Sequence, residues 1–140
     1  MAVKFEGMRV LVVDDYENTR KKLVAELQKL GITVIEAANG LEALDVLRRE
    51  KKVDAIFTDI VMPEMDGFEL TEDVRSVSDL RSVPIVVVST HVDGSYIMKA
   101  LRVGADDYIS KPIESDIVAR VMSRIMTSVL PEGASGGRTL

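Results

Sequence analysis

Two kinds of apolar pattern alternate along the chain. Short runs rich in β-branched residues occupy Met8–Val13, Ile32–Ala37, Ala55–Thr58, Ile85–Val88 and Tyr108–Ser110. Near-continuous apolar stretches such as Val10–Val13 and Ile85–Val88 suit strands buried on both faces, and hence a parallel sheet. Between them the spacing becomes helical. Leu23, Leu27 and Leu30 recur at i, i+4 and i+7, and Gly31 follows as a stop signal. Leu41, Leu44 and Leu47 form a similar stripe after Asn39–Gly40, and Leu70, Val74 and Val77 another after Asp66–Gly67. Ile97 and Leu101 precede a stop at Gly104. Ser115–Leu130 reads as a fifth helix, with Ile117, Val121 and Ile125 on one row and Val118, Met122, Met126 and Val129 on another. Strand and helix alternate throughout, which predicts an α/β fold with a doubly wound parallel sheet and right-handed crossovers. The second row of the fifth helix reads first as the edge of a broad core stripe, with a partner or dimer face as the alternative.

Size and composition narrow the classes. At 140 residues the chain suits one domain, assigned to residues 1–130, and 46% hydrophobic with 29% charged residues is ordinary globular composition. The remaining Pro131–Leu140 (PEGASGGRTL) is Gly/Ser-rich and is expected to be disordered. A net charge of −5 argues against a nucleic-acid partner, which would need a basic surface. There is no cysteine, so thiol catalysis, disulfides and cysteine zinc sites are excluded. His91, the one histidine, cannot build a histidine-rich metal site. No apolar run approaches membrane-spanning length and the N-terminus lacks an apolar leader core, so no membrane contact and a cytoplasmic location are expected.

In an open parallel sheet, ligands bind beyond the carboxyl ends of the strands. Asp14 and Asp15 follow the first strand, Asp59 the third, Ser89 and Thr90 the fourth, and Lys111–Pro112 the fifth. Three carboxylates, a hydroxyl and an ammonium therefore converge on one edge. Packed carboxylates repel, and a hard divalent cation relieves the repulsion; Mg²⁺ takes one or two carboxylates together with waters and phosphate oxygens. Lys111 and Ser89 offer a charge and a donor to an arriving oxyanion. Any one of these aspartates alone is as readily a helix cap or turn residue, and Asp66–Gly67 reads as such a turn. Tyr108 taken alone reads as edge packing, and His91 as a loop residue bordering the site.

Five motifs follow one another in order: Val-Leu-Val-Val-Asp-Asp (10–15), Asn-Gly-Leu-Glu-Ala-Leu (39–44), Thr-Asp-Ile-Val-Met-Pro-Glu-Met-Asp-Gly (58–67), Pro-Ile-Val-Val-Val-Ser (84–89) and Gly-Ala-Asp-Asp-Tyr-Ile-Ser-Lys-Pro (104–112). Together they resemble the receiver domain of two-component response regulators. The spacings match as well, with 44 residues from Asp15 to Asp59, 30 on to Ser89, and 52 from Asp59 to Lys111. The resemblance implies a flavodoxin-like sheet of order 2-1-3-4-5. It implies that Asp59 is the phosphoacceptor. Asp15 and Asp59 would bind Mg²⁺ (or Mn²⁺) directly, Asp14 through water or hydrogen bonding, and Val61 through its backbone carbonyl. Ser89 and Lys111 would contact the phosphoryl group. Ser89 and Tyr108 would form the switch pair, and Lys111–Pro112 would be cis.

The implied function is phosphorylation-based signalling, without turnover of a free substrate beyond the domain's own phosphorylation and dephosphorylation. A histidine kinase or phosphotransfer protein would donate the phosphoryl group. The surface of helix four, strand five and helix five would then change toward a downstream protein target. Val61 and His91 border the path of the hydrolytic water, and Ile113 replaces an aromatic often found after Lys-Pro. Lys99, Asp107 and Arg120 partly match the charged set through which DNA-binding regulators form homodimers across this face. After Leu130 only ten residues follow, which leaves a stand-alone receiver or a piece of a longer protein. The alternatives are a pseudo-receiver that binds partners without phosphorylation and a Mg²⁺-dependent phosphohydrolase. Such hydrolases carry Asp-x-Asp after the first strand, whereas Asp14 and Asp15 are adjacent. A flavin-binding domain is more remote, because the loop after the first strand is acidic.

Overall fold

The computed structural model describes residues 5–50 and 52–128. Five strands alternate with five helices: β1 (Arg9–Val13), α1 (Glu17–Lys29), β2 (Thr33–Ala37), α2 (Gly40–Arg49), β3 (Ala55–Thr58), α3 (Gly67–Ser76), β4 (Ile85–Ser89), α4 (Gly94–Val103), β5 (Asp107–Ser110) and α5 (Ser115–Ser128). A short 3-10 turn, Ser78–Leu80, joins α3 to β4. All strands are parallel, in the order β2-β1-β3-β4-β5. The expected doubly wound, flavodoxin-like sheet is therefore present. Connections run outward in opposite directions from β1 and β3, which opens a crevice at their carboxyl ends. Val129, Leu130 and the expected tail lie outside the described residues.

Strand alternation builds a core on both faces. Val10, Val12, Phe57, Val86 and Val88 pack with Leu23, Leu27, Val118, Val121, Met122 and Ile125 of α1 and α5. Leu11, Val13, Ile56 and Ile85 face Ala43, Val46, Leu70 and Val74 of α2 and α3. Val87 meets Ile60, Phe68, Ala100 and Ala105 in a smaller cluster under α4. Both apolar rows of α5 belong to the core, because Val118 and Met122 are as buried as Val121 and Ile125, and Ile117 and Met126 pack at the margin. Asn39, Asp66 and Asp93 cap α2, α3 and α4, and Asp66 forms a full capping box with Glu69.

Three helical stripes differ in part from the sequence reading. On α2 the inward face is Gly40, Ala43, Val46 and Leu47, while Leu41 is 46% exposed. A Cβ at Gly40 would lie 2.8 Å from the Met65 side chain, so a larger residue here would require Met65 to shift. On α4 the buried residue is Ala100, while Leu101 and Met98 are largely exposed and Ile97 is half-buried. Ala100 is the α4 residue buried in the cluster with Val87 and Phe68, while Met98 and Leu101 are turned outward. Val77, read as the end of the α3 stripe, caps that helix and is exposed.

Candidate functional site

Main-chain pairing sets the height of each functional side chain above the sheet. The Asp14 N–H donates to the Ala37 carbonyl (3.1 Å), the Asp59 N–H to Val13 (2.9 Å) and the Lys111 N–H to Ser89 (2.9 Å). Asp14, Asp59 and Lys111 thus leave β1, β3 and β5 one residue beyond the strand ends, on the same edge. Ser89 is the last residue of β4, pairs with Ser110 across the ladder, and is 1% exposed.

The three aspartates form one cluster, with a carboxylate oxygen from each of Asp14, Asp15 and Asp59 lying within 4.8 Å of the others. Their surroundings differ. Asp14 is buried, and three donors hold it. The Tyr16 N–H reaches Oδ1 at 2.9 Å, the Thr19 hydroxyl reaches Oδ2 at 2.7 Å, and the Lys111 ammonium reaches Oδ2 at 3.1 Å. Arg20 donates to the Asp14 carbonyl at 2.8 Å and to Glu36 at 2.8 Å, which ties this loop to β2. Asp15 is exposed. Asp59 is mostly covered; its Oδ1 accepts the Ile60 N–H at 2.8 Å and its Oδ2 faces Lys111 at 3.3 Å.

Burial pushes the Asp59 carboxyl above the usual carboxylate range; Lys111 opposes this, and the charge on Asp14 adds to it. The cluster is thus a concentration of negative charge that one ammonium does not neutralise. Its donors are all carboxylate oxygens, and one side is open to water through Asp15. Hard divalent cations such as Mg²⁺ or Mn²⁺ prefer such donors, so these residues fit that group.

Behind the cluster, the main chain of one residue, His91, links Ser89 to Tyr108. The His91 N–H donates to Ser89 Oγ at 3.0 Å, and the His91 carbonyl accepts the Tyr108 hydroxyl at 2.5 Å. Tyr108 packs against the cluster under α4, and burial raises its phenol. The His91 ring lies flat on Tyr96, with centroids 4.2 Å apart and planes 5° apart. The Lys111–Pro112 peptide is cis. Val61, at the lip, is 59% exposed.

The loop from Asp59 to α3 is closely constrained. Glu64 has φ of 70°, and the Met65 N–H returns to the Pro63 carbonyl at 2.8 Å, which makes a tight γ-type turn. A Cβ at Gly67 would fall 2.1 Å from the Asp59 carbonyl oxygen, so only glycine permits this approach. The charged residues of the partial dimer set are all engaged within the chain. Lys99 lies over Phe68 (4.7 Å), Asp107 pairs with Arg124 (2.7 Å) and Arg120 with Asp116 (3.2 Å). Sequence reasoning missed Thr19, Arg20 and Tyr96. The available signal was a hydroxyl on the first turn of a helix that starts beside the acidic strand end.

Comparison with known proteins agrees with this geometry. A family model for the response regulator receiver domain matches residues 10–122. A chemotaxis protein CheY homolog of Campylobacter jejuni subsp. jejuni is 34% identical over 129 residues, 91% of this chain and 99% of that protein. The sensor histidine kinase CheAY of Helicobacter pylori is 36% identical over 116 residues, 82% of this chain, which spans 14% of that larger protein. Among solved structures, the receiver domain of a sensor histidine kinase from Pseudomonas aeruginosa PAO1, described with a magnesium ion coordinated in its active site cleft, superposes with a TM-score of 0.79 at 28% identity. That match covers 86% of this chain and 98% of the other.

Proposed function

The chain belongs to the response regulator receiver family, the phosphorylation-based modules of two-component signalling, and on that premise we propose that Asp59 is its phosphoacceptor. The observation that carries this is the Lys111 ammonium held between Asp14 (3.1 Å) and Asp59 (3.3 Å) within a cluster of three carboxylates. That charge is placed to move from the carboxylates to the oxygens of an arriving phosphoryl group.

A phosphohistidine on a histidine kinase or phosphotransfer protein supplies the phosphoryl group. An Asp59 carboxylate oxygen forms the new P–O bond as the P–N bond to the donor imidazole breaks. Burial disfavours the charged Asp59 carboxylate, and an acyl phosphate moves that charge outward to oxygens that Lys111 can reach. Asp15, Asp59 and the Val61 carbonyl would hold Mg²⁺ or Mn²⁺, with Asp14 acting through water or hydrogen bonding. The ion, when bound, neutralises phosphoryl charge and orients its oxygens. The Ser89 hydroxyl accepts from His91 and keeps its own proton to donate to the phosphoryl group. The domain assists its own phosphorylation and dephosphorylation and turns over no separate substrate.

Readout runs from Ser89 through the main-chain N–H and carbonyl of His91 to Tyr108, and on to the face of α4, β5 and α5. Exposed Val92 and Leu101 and half-buried Ile97, which line one hollow with Tyr108, support a protein partner there. The internal engagement of Lys99, Asp107 and Arg120 supports docking by a monomer over the homodimer. No helix among the described residues is long and apolar enough to cross a membrane, and we place the protein's action in the cytoplasm.

Incubation with Mg²⁺ and acetyl phosphate, followed by intact mass and sizing, tests the proposal. One alkali-labile phosphoryl adduct is expected, absent with EDTA and absent in Asp59→Asn. No adduct and no Mg²⁺ binding would instead identify a pseudo-receiver.

A further inference from the structure

We infer that Thr19 is a positioning residue for the cation site and sets how tightly this receiver takes Mg²⁺. The inference rests on the reading of the acidic cluster as that site. Asp14 is its most deeply placed carboxylate, with a side chain 8% exposed against 13% for Asp59. A buried carboxylate holds its orientation only while its oxygens keep their donors. Of the three donors on Asp14, two are constrained by other roles. The Tyr16 N–H closes the local turn on Oδ1, and the Lys111 ammonium is shared with Asp59. Once Lys111 turns to a phosphoryl oxygen, the Thr19 hydroxyl, at 2.7 Å, remains on Oδ2.

The geometry makes Thr19 suited to this. It is the third residue of α1, so the helix backbone fixes where its Cβ points. Its β-branched side chain has few rotamers to choose from. The Tyr16 carbonyl, at 3.2 Å, competes for the same hydroxyl proton, and the Asp14 contact is the shorter of the two. Arg20, the next residue, anchors the Asp14 carbonyl at 2.8 Å. Thr19 and Arg20 thus fix the side chain and the main chain of the same aspartate. Hydrogen-bond partners of direct metal ligands typically contribute 10–100-fold to metal affinity, and Thr19, acting through Asp14, belongs at the low end of that range.

The experiment titrates MgCl₂ into the isotopically labelled full chain and follows the amide shifts of Asp14, Asp15 and Asp59. Thr19→Val, which keeps the shape and loses the hydroxyl, is expected to weaken Mg²⁺ binding about tenfold. Thr19→Ser is expected to restore it, and thermal unfolding in EDTA reports the fold of each variant. Thr19→Ala carries the same expectation if Thr19→Val melts early. Parent-like affinity in Thr19→Val overturns the inference. So does a loss in Thr19→Ala that Thr19→Val repairs, because that loss would come from packing. A parent chain whose shifts ignore MgCl₂ overturns the site reading itself, whereas a responsive parent whose variants bind Mg²⁺ as tightly as it does overturns the role of Thr19 alone.

Discussion

Replacing Asp59 by asparagine is expected to abolish phosphorylation and at the same time stabilise the metal-free protein. Asp14 and Asp59 present carboxylate oxygens no more than 4.8 Å apart, a repulsion of about 3.5 kcal/mol at an effective dielectric near 20. The Asp59–Lys111 attraction at 3.3 Å is about 5 kcal/mol on the same basis. These nearly offset, and burying the charged carboxylate, at several kcal/mol, decides the balance against Asp59. Asparagine keeps an Oδ1 for the Ile60 N–H, sheds the charge and leaves Lys111 to Asp14. The expected gain is about 1–2 kcal/mol at pH 7.5 in EDTA, or about 4–8 °C in melting temperature. The folded pKa of Asp59 lies above its unfolded value, so the native state takes up the proton first as pH falls. The penalty is therefore complete above the raised value and vanishes toward the ordinary carboxylate range. Urea denaturation of both proteins at several pH values measures the gap, which should narrow with acid and also with Mg²⁺, since the ion binds native wild type. A variant no more stable at pH 7.5, or a gap that widens with acid, would refute the reasoning.

Three further outcomes follow from particular contacts. Gly67→Ala forces a methyl onto the Asp59 carbonyl and should lose about 2–3 kcal/mol in urea denaturation together with most acetyl phosphate labelling; near-parent stability would contradict the steric argument. Lys111→Ala should still take some label but show no phosphorylation-dependent amide shifts around Tyr108, and parent-like shifts there would count against the ammonium as the link. Glu64→Gly relieves a positive φ in an exposed turn and should gain about 1 kcal/mol by the same denaturation assay, a gain that would fail to appear if the turn were unstrained.

The sheet was readable because its strands are buried on both faces. Runs such as Val10–Val13 and Ile85–Val88 leave little choice but a parallel sheet with helices on each side, and residues just past those runs must share an edge. Asp14, Asp59 and Lys111 were legible on that basis. The helices were less so. Ile97 and Leu101 have core spacing, yet Ala100 is the residue that faces the sheet, because periodicity finds an apolar face without saying what covers it. Leu41 misled for a related reason, since the closest approach of α2 is made by Gly40 and Ala43. Thr19 carries no periodic or charge signal, and its bond to Asp14 depends on the angle at which α1 leaves the loop. The Tyr108–His91 bond was invisible because it uses a main-chain carbonyl, which every residue has.

That last bond bears on how such a protein can vary. The connection between Ser89 and Tyr108 uses the amide and the carbonyl of residue 91 and none of its imidazole atoms. Side chains at 91 are therefore open to drift, and with them the stacking on Tyr96 and the water reaching Asp59. Timing can then be retuned by substitution while the wiring from site to surface survives almost any of them. Proline is the exception, since it alone brings no N–H to Ser89.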